Sequence, residues 1–191
     1  MNNIIIRHMR NFHFLLLTFG TGVFYFCFYA IGLVTGFGLS FTIAGIPLLT
    51  HVLRTTSTFR EFERLQTKIY TDISIPVLDE RRQPTGSLWM QAKQELLNSN
   101  NWNTVLWLML KLIIGIGSLL CAVVLYVIPL LMLLTPFLYP IVEMNFLNMS
   151  VQSLESSLVV CGLGMIGMIA SYWLSNRIIM IVGSYSRLLF K

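Results

Sequence analysis

Residues 12–53 read FHFLLLTFGTGVFYFCFYAIGLVTGFGLSFTIAGIPLLTHVL, 42 positions without a formal charge. As one helix they would run about 63 Å at 1.5 Å per residue, roughly twice the hydrocarbon thickness of a bilayer. Such a run has to turn back on itself. Three glycines fall within Gly32-Leu-Val-Thr-Gly-Phe-Gly38, where the missing Cβ permits a tight reversal. The expectation is two crossings, near 12–33 and 37–53, with Pro47 kinking the second.

Composition agrees with a membrane setting. The 191 residues are 55% hydrophobic and 11% charged, with a mean hydropathy of +0.73; soluble domains carry roughly 25% charged residues. One membrane domain over 1–191 follows. The net charge of +5 does not indicate nucleic acid. Its basic residues flank the apolar blocks, where anionic lipid and the positive-inside rule account for them. Cys27, Cys121 and Cys161 lie inside apolar runs with no C-x-x-C spacing and read as small apolar fillers. Arg7 and Arg10 precede an apolar run too long and too aromatic for a signal peptide, so it reads as a retained anchor.

Residues 54–103 form a polar island holding 13 of the 21 charged residues. Phe59, Phe62, Leu65 and Ile69 recur at spacings of 3, 3 and 4, an apolar stripe flanked by Arg60, Arg64 and Lys68. This segment either lies in the headgroup plane or extends the second crossing and packs on its neighbours; the sequence leaves both open. Ile75-Pro76 and Arg81-Arg82-Gln-Pro84-Thr-Gly86 read as a linker. Leu88 to Leu97 has the pattern of a second amphipathic helix, ended by Asn98-Ser-Asn-Asn101.

Trp102 and Trp107 then mark an interface. A third crossing is expected over about 104–128, with 129–140, punctuated by Pro129, Pro136 and Pro140, as an irregular tail. Lys111 is expected to snorkel to the near headgroups. Residues 141–157 carry Glu143 and Glu155 and no Lys or Arg, and 158–182 make the fourth crossing. The fold class is therefore all-α: a polytopic membrane protein of four transmembrane helices in two hairpins, joined by a cytoplasmic amphipathic segment, 54–103. Arg7, Arg10, the island, Arg187 and Lys191 place both termini in the cytoplasm and 141–157 outside, whereas an odd number of crossings puts a basic end outside.

Chemistry is sparse. Gly162-Leu-Gly164-Met-Ile-Gly167 matches G-x-G-x-x-G, but with no preceding strand and no acidic residue about 20 positions on. Close helix packing explains it, as it does Gly115 and Gly117. His8, His13 and His51 have no ligand partners at metal-binding spacing. No triad, H-E-x-x-H or Walker pattern occurs, and no crossing holds a central carboxylate. No catalytic, cofactor or metal residue is expected.

Gly-Leu-Ser-Phe-Thr-Ile-Ala-Gly-Ile-Pro-Leu-Leu (38–49), Phe-Glu-Arg-Leu (62–65), Ile75-Pro76 and Asn-Trp-Asn-Thr-Val-Leu-Trp-Leu-Met-Leu-Lys-Leu-Ile-Ile-Gly (101–115) resemble the putative sensor domain of Gram-positive bacteria. The resemblance spans roughly 12–183. It implies four crossings in two hairpins, a domain usually found in front of histidine kinases and sometimes alone. No phosphoacceptor or ATP-binding module occurs in these residues, so a kinase's output is not carried over.

Two functions are compatible with this. The first is a non-catalytic, sensor-like or accessory membrane protein, acting by contact with a histidine kinase of a two-component system or an ABC-type transporter in envelope or antimicrobial-stress signalling. Phe59, Arg60, Phe62, Arg64, Leu65, Lys68 and Ile69 would form its partner or lipid surface. The alternative is a small transporter or peptide-immunity subunit, with Glu143 and Glu155 attracting a cationic peptide. Membrane lipid and a membrane protein are the expected partners, a second copy of the chain included.

Overall fold

Without proline and with its charges confined to the first turns, the N-terminal block holds one helix, α1 (Asn2–Gly38). In the computed structural model residues 2–42, 44–71, 88–138, 144–146, 149–151 and 153–188 are described. The expected linker and Glu143 lie outside them. Helix α2 (Gly45–Thr71) follows, then α3 (Leu88–Leu97), α4 (Ser99–Ala122), a π-helical turn (Val123–Val127), α5 (Ile128–Leu138) and α6 (Leu154–Leu188). Between α5 and α6, β1 (Met144–Phe146) and β2 (Met149–Val151) pair antiparallel, with Asn145 opposite Ser150. Apart from this hairpin, the regular structure among the described residues is helical.

The expected break at Gly32–Gly38 is corrected. Helix α1 continues through all three glycines, and the chain reverses just after them, with Thr42 N donating to Leu39 O at 2.8 Å. Gly32 and Gly36 instead form a packing notch for α2. A Cβ on Gly32 would stand 2.9 Å from Val52 Cγ2, and one on Gly36 2.5 Å from Leu49 Cδ2. Small residues four apart let two helices approach closely, which is a different use of glycine from a turn.

Among the described residues three stretches are long and apolar enough to cross a membrane: Ile6–Gly38, Ser99–Leu138 and Leu154–Tyr185. The expected crossing at 37–53 is not among them. Only 45–53 of α2 precede Arg54, about 14 Å of helix. The irregular tail at 129–140 is likewise corrected, since helix continues to Leu138. Pro129 has no N–H for the carbonyl of Leu125, four residues back. The π-turn opens the helix there, and Ser171 Oγ of α6 donates to Leu125 O. A neighbouring hydroxyl thus satisfies what proline released.

Helix α1 packs antiparallel to α2 and α4, and α5 antiparallel to α6, whereas α1 runs parallel to α6, with His8 against Tyr172 and Asn11 against Asn176. Helix α1 packs most extensively on α4 and more lightly on α2. Phe37 stacks on Trp102, with centroids 6.1 Å apart, so the reversal after α1 and the start of α4 occupy one end of the bundle. The expectation set those two points on opposite membrane faces. Asn98 separates α3 from α4, its side chain accepting from Asn100 N at 3.1 Å. Asn101 Nδ2 and Trp102 Nε1 donate back to Glu95 O (3.2 Å) and Leu96 O (2.8 Å), covering carbonyls at the end of α3. Gly164 and Gly167 set α6 against α5, a Cβ on Gly164 lying 2.9 Å from Leu133 N. Gly162 and Gly117 have open space beside them and take no part.

Candidate functional site

Helix α2 is amphipathic the wrong way round for a soluble protein. Val52, Thr56, Phe59, Glu63, Gln66, Thr67 and Tyr70 recur at helical spacing and face the bundle, while Phe62, Leu65, Lys68 and Ile69 face out. Polar inside and apolar outside is the pattern of a helix whose surroundings are lipid or another helix. The inward face starts apolar. Phe59 sits in an aromatic nest, with ring centroids 4.9 Å from Tyr25, 5.2 Å from Phe28 and 5.9 Å from Tyr29.

One turn further, Lys111 Nζ of α4 donates to Glu63 Oε1 of α2 and forms an ion pair with it. Glu63 is 1% and Lys111 3% exposed. Lys111 therefore does not snorkel; its partner lies beside it. The ammonium also stands 5.4 Å from the centroid of the Tyr25 ring, whose negative face attracts it. The Tyr25 hydroxyl faces Glu63 without closing a hydrogen bond on it. Gly22 makes the geometry feasible: its missing Cβ lets α1 ride against the Lys111 backbone. Two charges removed from water are tolerable only as a pair, and removal of either leaves the other uncompensated. Thr18, Gln66, Thr67 and Tyr185 line a narrow cavity beside the pair.

A second polar contact joins the N-terminal part of α1 to α6. Asn11 Nδ2 donates to Asn176 Oδ1 at 3.0 Å and to Ser175 Oγ at 3.3 Å. His8 packs between Tyr126 and Tyr172, a packed histidine with no ligand geometry. Among the described residues no three His, Cys, Asp or Glu side chains come together as a metal site would require.

The expected surface divides. Phe59 is core. Phe62, Leu65 and Ile69 are exposed at 50%, 45% and 62%, and Lys68 is exposed with them. Arg60 is half-buried. Arg64 forks onto Glu61, Nε donating to both carboxylate oxygens at 3.0 and 2.9 Å, and this hydrogen bonding holds the Glu61 carboxyl below the usual range. The residues that sequence reasoning missed are Glu63, Gln66 and Lys111. Their signal was a lone lysine in an apolar block and a carboxylate one turn after Phe59.

A family model described as Putative sensor matches residues 14–189, nearly the whole chain. No curated protein and no solved structure matches.

Proposed function

The chain belongs to the Putative sensor family, and from that premise we propose that it is a non-catalytic, sensor-like, multi-pass membrane protein acting by contact through α2. The partner would be a histidine kinase or an ABC-type transporter, in the envelope or antimicrobial-stress signalling of a Gram-positive cell. The family match carries the sensor-like role. The outward Phe62, Leu65 and Ile69, beside Lys68, support α2 as the contact surface, because an exposed apolar stripe edged by charge suits a helix or a lipid surface.

For orientation, seven Lys and Arg residues in 54–103 support a cytoplasmic Ser99 end of the bundle, with 141–157 outside. Helix α6 returns towards that end, its Tyr185 hydroxyl donating to Trp107 O at 2.9 Å, which supports a cytoplasmic C-terminus. The antiparallel run of α1 along α4 supports the opposite side for the N-terminus, against the expectation that both termini are cytoplasmic. Arg7 and Arg10 are then outweighed by the seven basic residues of the middle segment.

The test is co-purification of the intact protein from its native membrane. A kinase or transporter should accompany it, and Phe62→Ser with Ile69→Ser should release that partner while the protein stays folded. A folded double variant that keeps its partner would move the interface onto the spanning helices.

A further inference from the structure

The Gln66 side chain is 6% exposed, and neither end of its amide finds a hydrogen-bond partner among the described residues. A buried primary amide left this way loses its hydration at both ends with nothing in return. Gln66 lines the cavity beside the ion pair, together with Thr18, Glu63, Thr67, Lys111 and Tyr185, and the space holds about one water molecule. Every polar group there is of the right kind. The amide both donates and accepts, the carboxylate carries a second oxygen, and the ammonium has further protons beyond the one given to Glu63.

We infer that this cavity binds one small neutral molecule that both donates and accepts hydrogen bonds, water in the resting protein. The filled site and the Glu63–Lys111 pair together form a releasable latch that holds α2 in the bundle. This rests on the reading of α2 as the contact helix. Two physical points carry it. Well-packed apolar residues hold helices at least as firmly as a buried ion pair, whereas a pair fails sharply when one member is lost. And apart from Phe59 the inward face of this part of α2 is polar, at Thr56, Glu63, Gln66 and Thr67, so water can take over those contacts once the helix moves out. A helix built this way keeps its apolar contacts at Val52, Leu53 and Phe59 and is otherwise held by polar ones that water can replace. Such low-stability elements are the ones that move.

The test reads release directly and needs no partner. With Cys27, Cys121 and Cys161 replaced by alanine, a reporter Thr56→Cys is placed on the buried face of α2, and Ala122→Cys in α4 serves as a control for global opening. The purified protein in lipid nanodiscs is treated with N-ethylmaleimide. Lys111→Met should speed labelling at 56 by about tenfold or more, with labelling at 122 unchanged. Adding Glu63→Met should bring the rate at 56 back to that of the parent. Gln66→Leu, which removes the partner of the bound water, should also speed labelling at 56, and should lower the melting temperature. Labelling at 56 that stays slow in Lys111→Met overturns the latch, and so does labelling that rises equally at 56 and 122. Gln66→Leu that melts higher and labels more slowly shows a dry cavity and overturns the bound molecule. These outcomes hold whether or not α2 contacts a kinase or transporter, so the two readings fail separately.

Discussion

Gly22 of α1 lies so close to Lys111 of α4 that a Cβ at position 22 would stand 2.8 Å from the Lys111 carbonyl oxygen. Gly115 repeats the contact one turn along α4, where a Cβ would meet Phe19 Cα at 2.9 Å. Backbone has nowhere to yield at either point. These two glycines fix how near α1 comes to α4, and hence whether Lys111 is enclosed or left to lipid.

Gly22→Val should therefore open the α1–α4 seam, at a cost of about 1–3 kcal/mol for overpacking. Gly20→Val is the control, because no atom lies within 4 Å of its added Cβ. Thermal melting in detergent separates them: Gly22→Val should melt lower and Gly20→Val should not. Equal melting of the two would mean that α1 and α4 do not meet here.

The aromatic residues of α2 differ in kind. Phe59→Ser removes a ring from the nest of Tyr25, Phe28 and Tyr29, and a loss of about 3–5 kcal/mol is expected from large-to-small substitution in a core. Phe62→Ser, at a half-exposed site, should leave the melt nearly unchanged. A Phe62 variant as unstable as the Phe59 one would show that the outward face is packed in the membrane-bound protein.

Much of this architecture can be read in the sequence, and the parts that cannot have definite causes. The class, the break at Asn98 and the helix at 88–97 follow from composition, capping and spacing. The place of the reversal after α1 is not legible, because Gly32 and Gly36 suit a turn and a packing notch equally well. The stripe at Phe59, Phe62 and Leu65 divides between core and surface for a geometric reason. Three residues advance a helix by about 300°, so each step of three falls about 60° short of a full turn. By Leu65 the stripe has moved about 120° round from Phe59, from the bundle to the outside. Glu63, one step of four from Phe59, stays on the inner side. Its pairing with Lys111 spans 48 residues, beyond any local pattern.

The stack of Phe37 on Trp102 puts the end of α1 beside the start of α4, which labelling can test. Cysteines at Thr42 and Ser99, both exposed, should react with an impermeant thiol reagent from the same side of the membrane, and one at Ser153 from the other. The Ser99–Leu138 stretch, 40 residues long, separates the two sets. Thr42 and Ser99 labelled from opposite sides would restore two crossings before α4 and discard the antiparallel packing of α1 on it.

Pro129 hands a carbonyl of its own helix to a neighbouring one. Its ring removes the N–H that would have bonded the Leu125 carbonyl, and the π-turn at Val123–Val127 leaves that carbonyl to Ser171 of α6. Ser171→Ala should strand a buried acceptor between two helices. Hydrogen bonds of this kind inside membranes contribute roughly 0.6–1.7 kcal/mol, so the single variant should melt measurably lower. The informative experiment is the cycle with Pro129→Ala. Alanine restores an N–H, and if the helix closes to a regular turn, Leu125 O regains a partner within its own chain. Ser171→Ala should then cost less in the Pro129→Ala background than alone, a coupling expected between residues that share one partner. Additive effects, with Ser171→Ala equally damaging in both backgrounds, would mean that the hydroxyl serves some group other than the carbonyl released by Pro129.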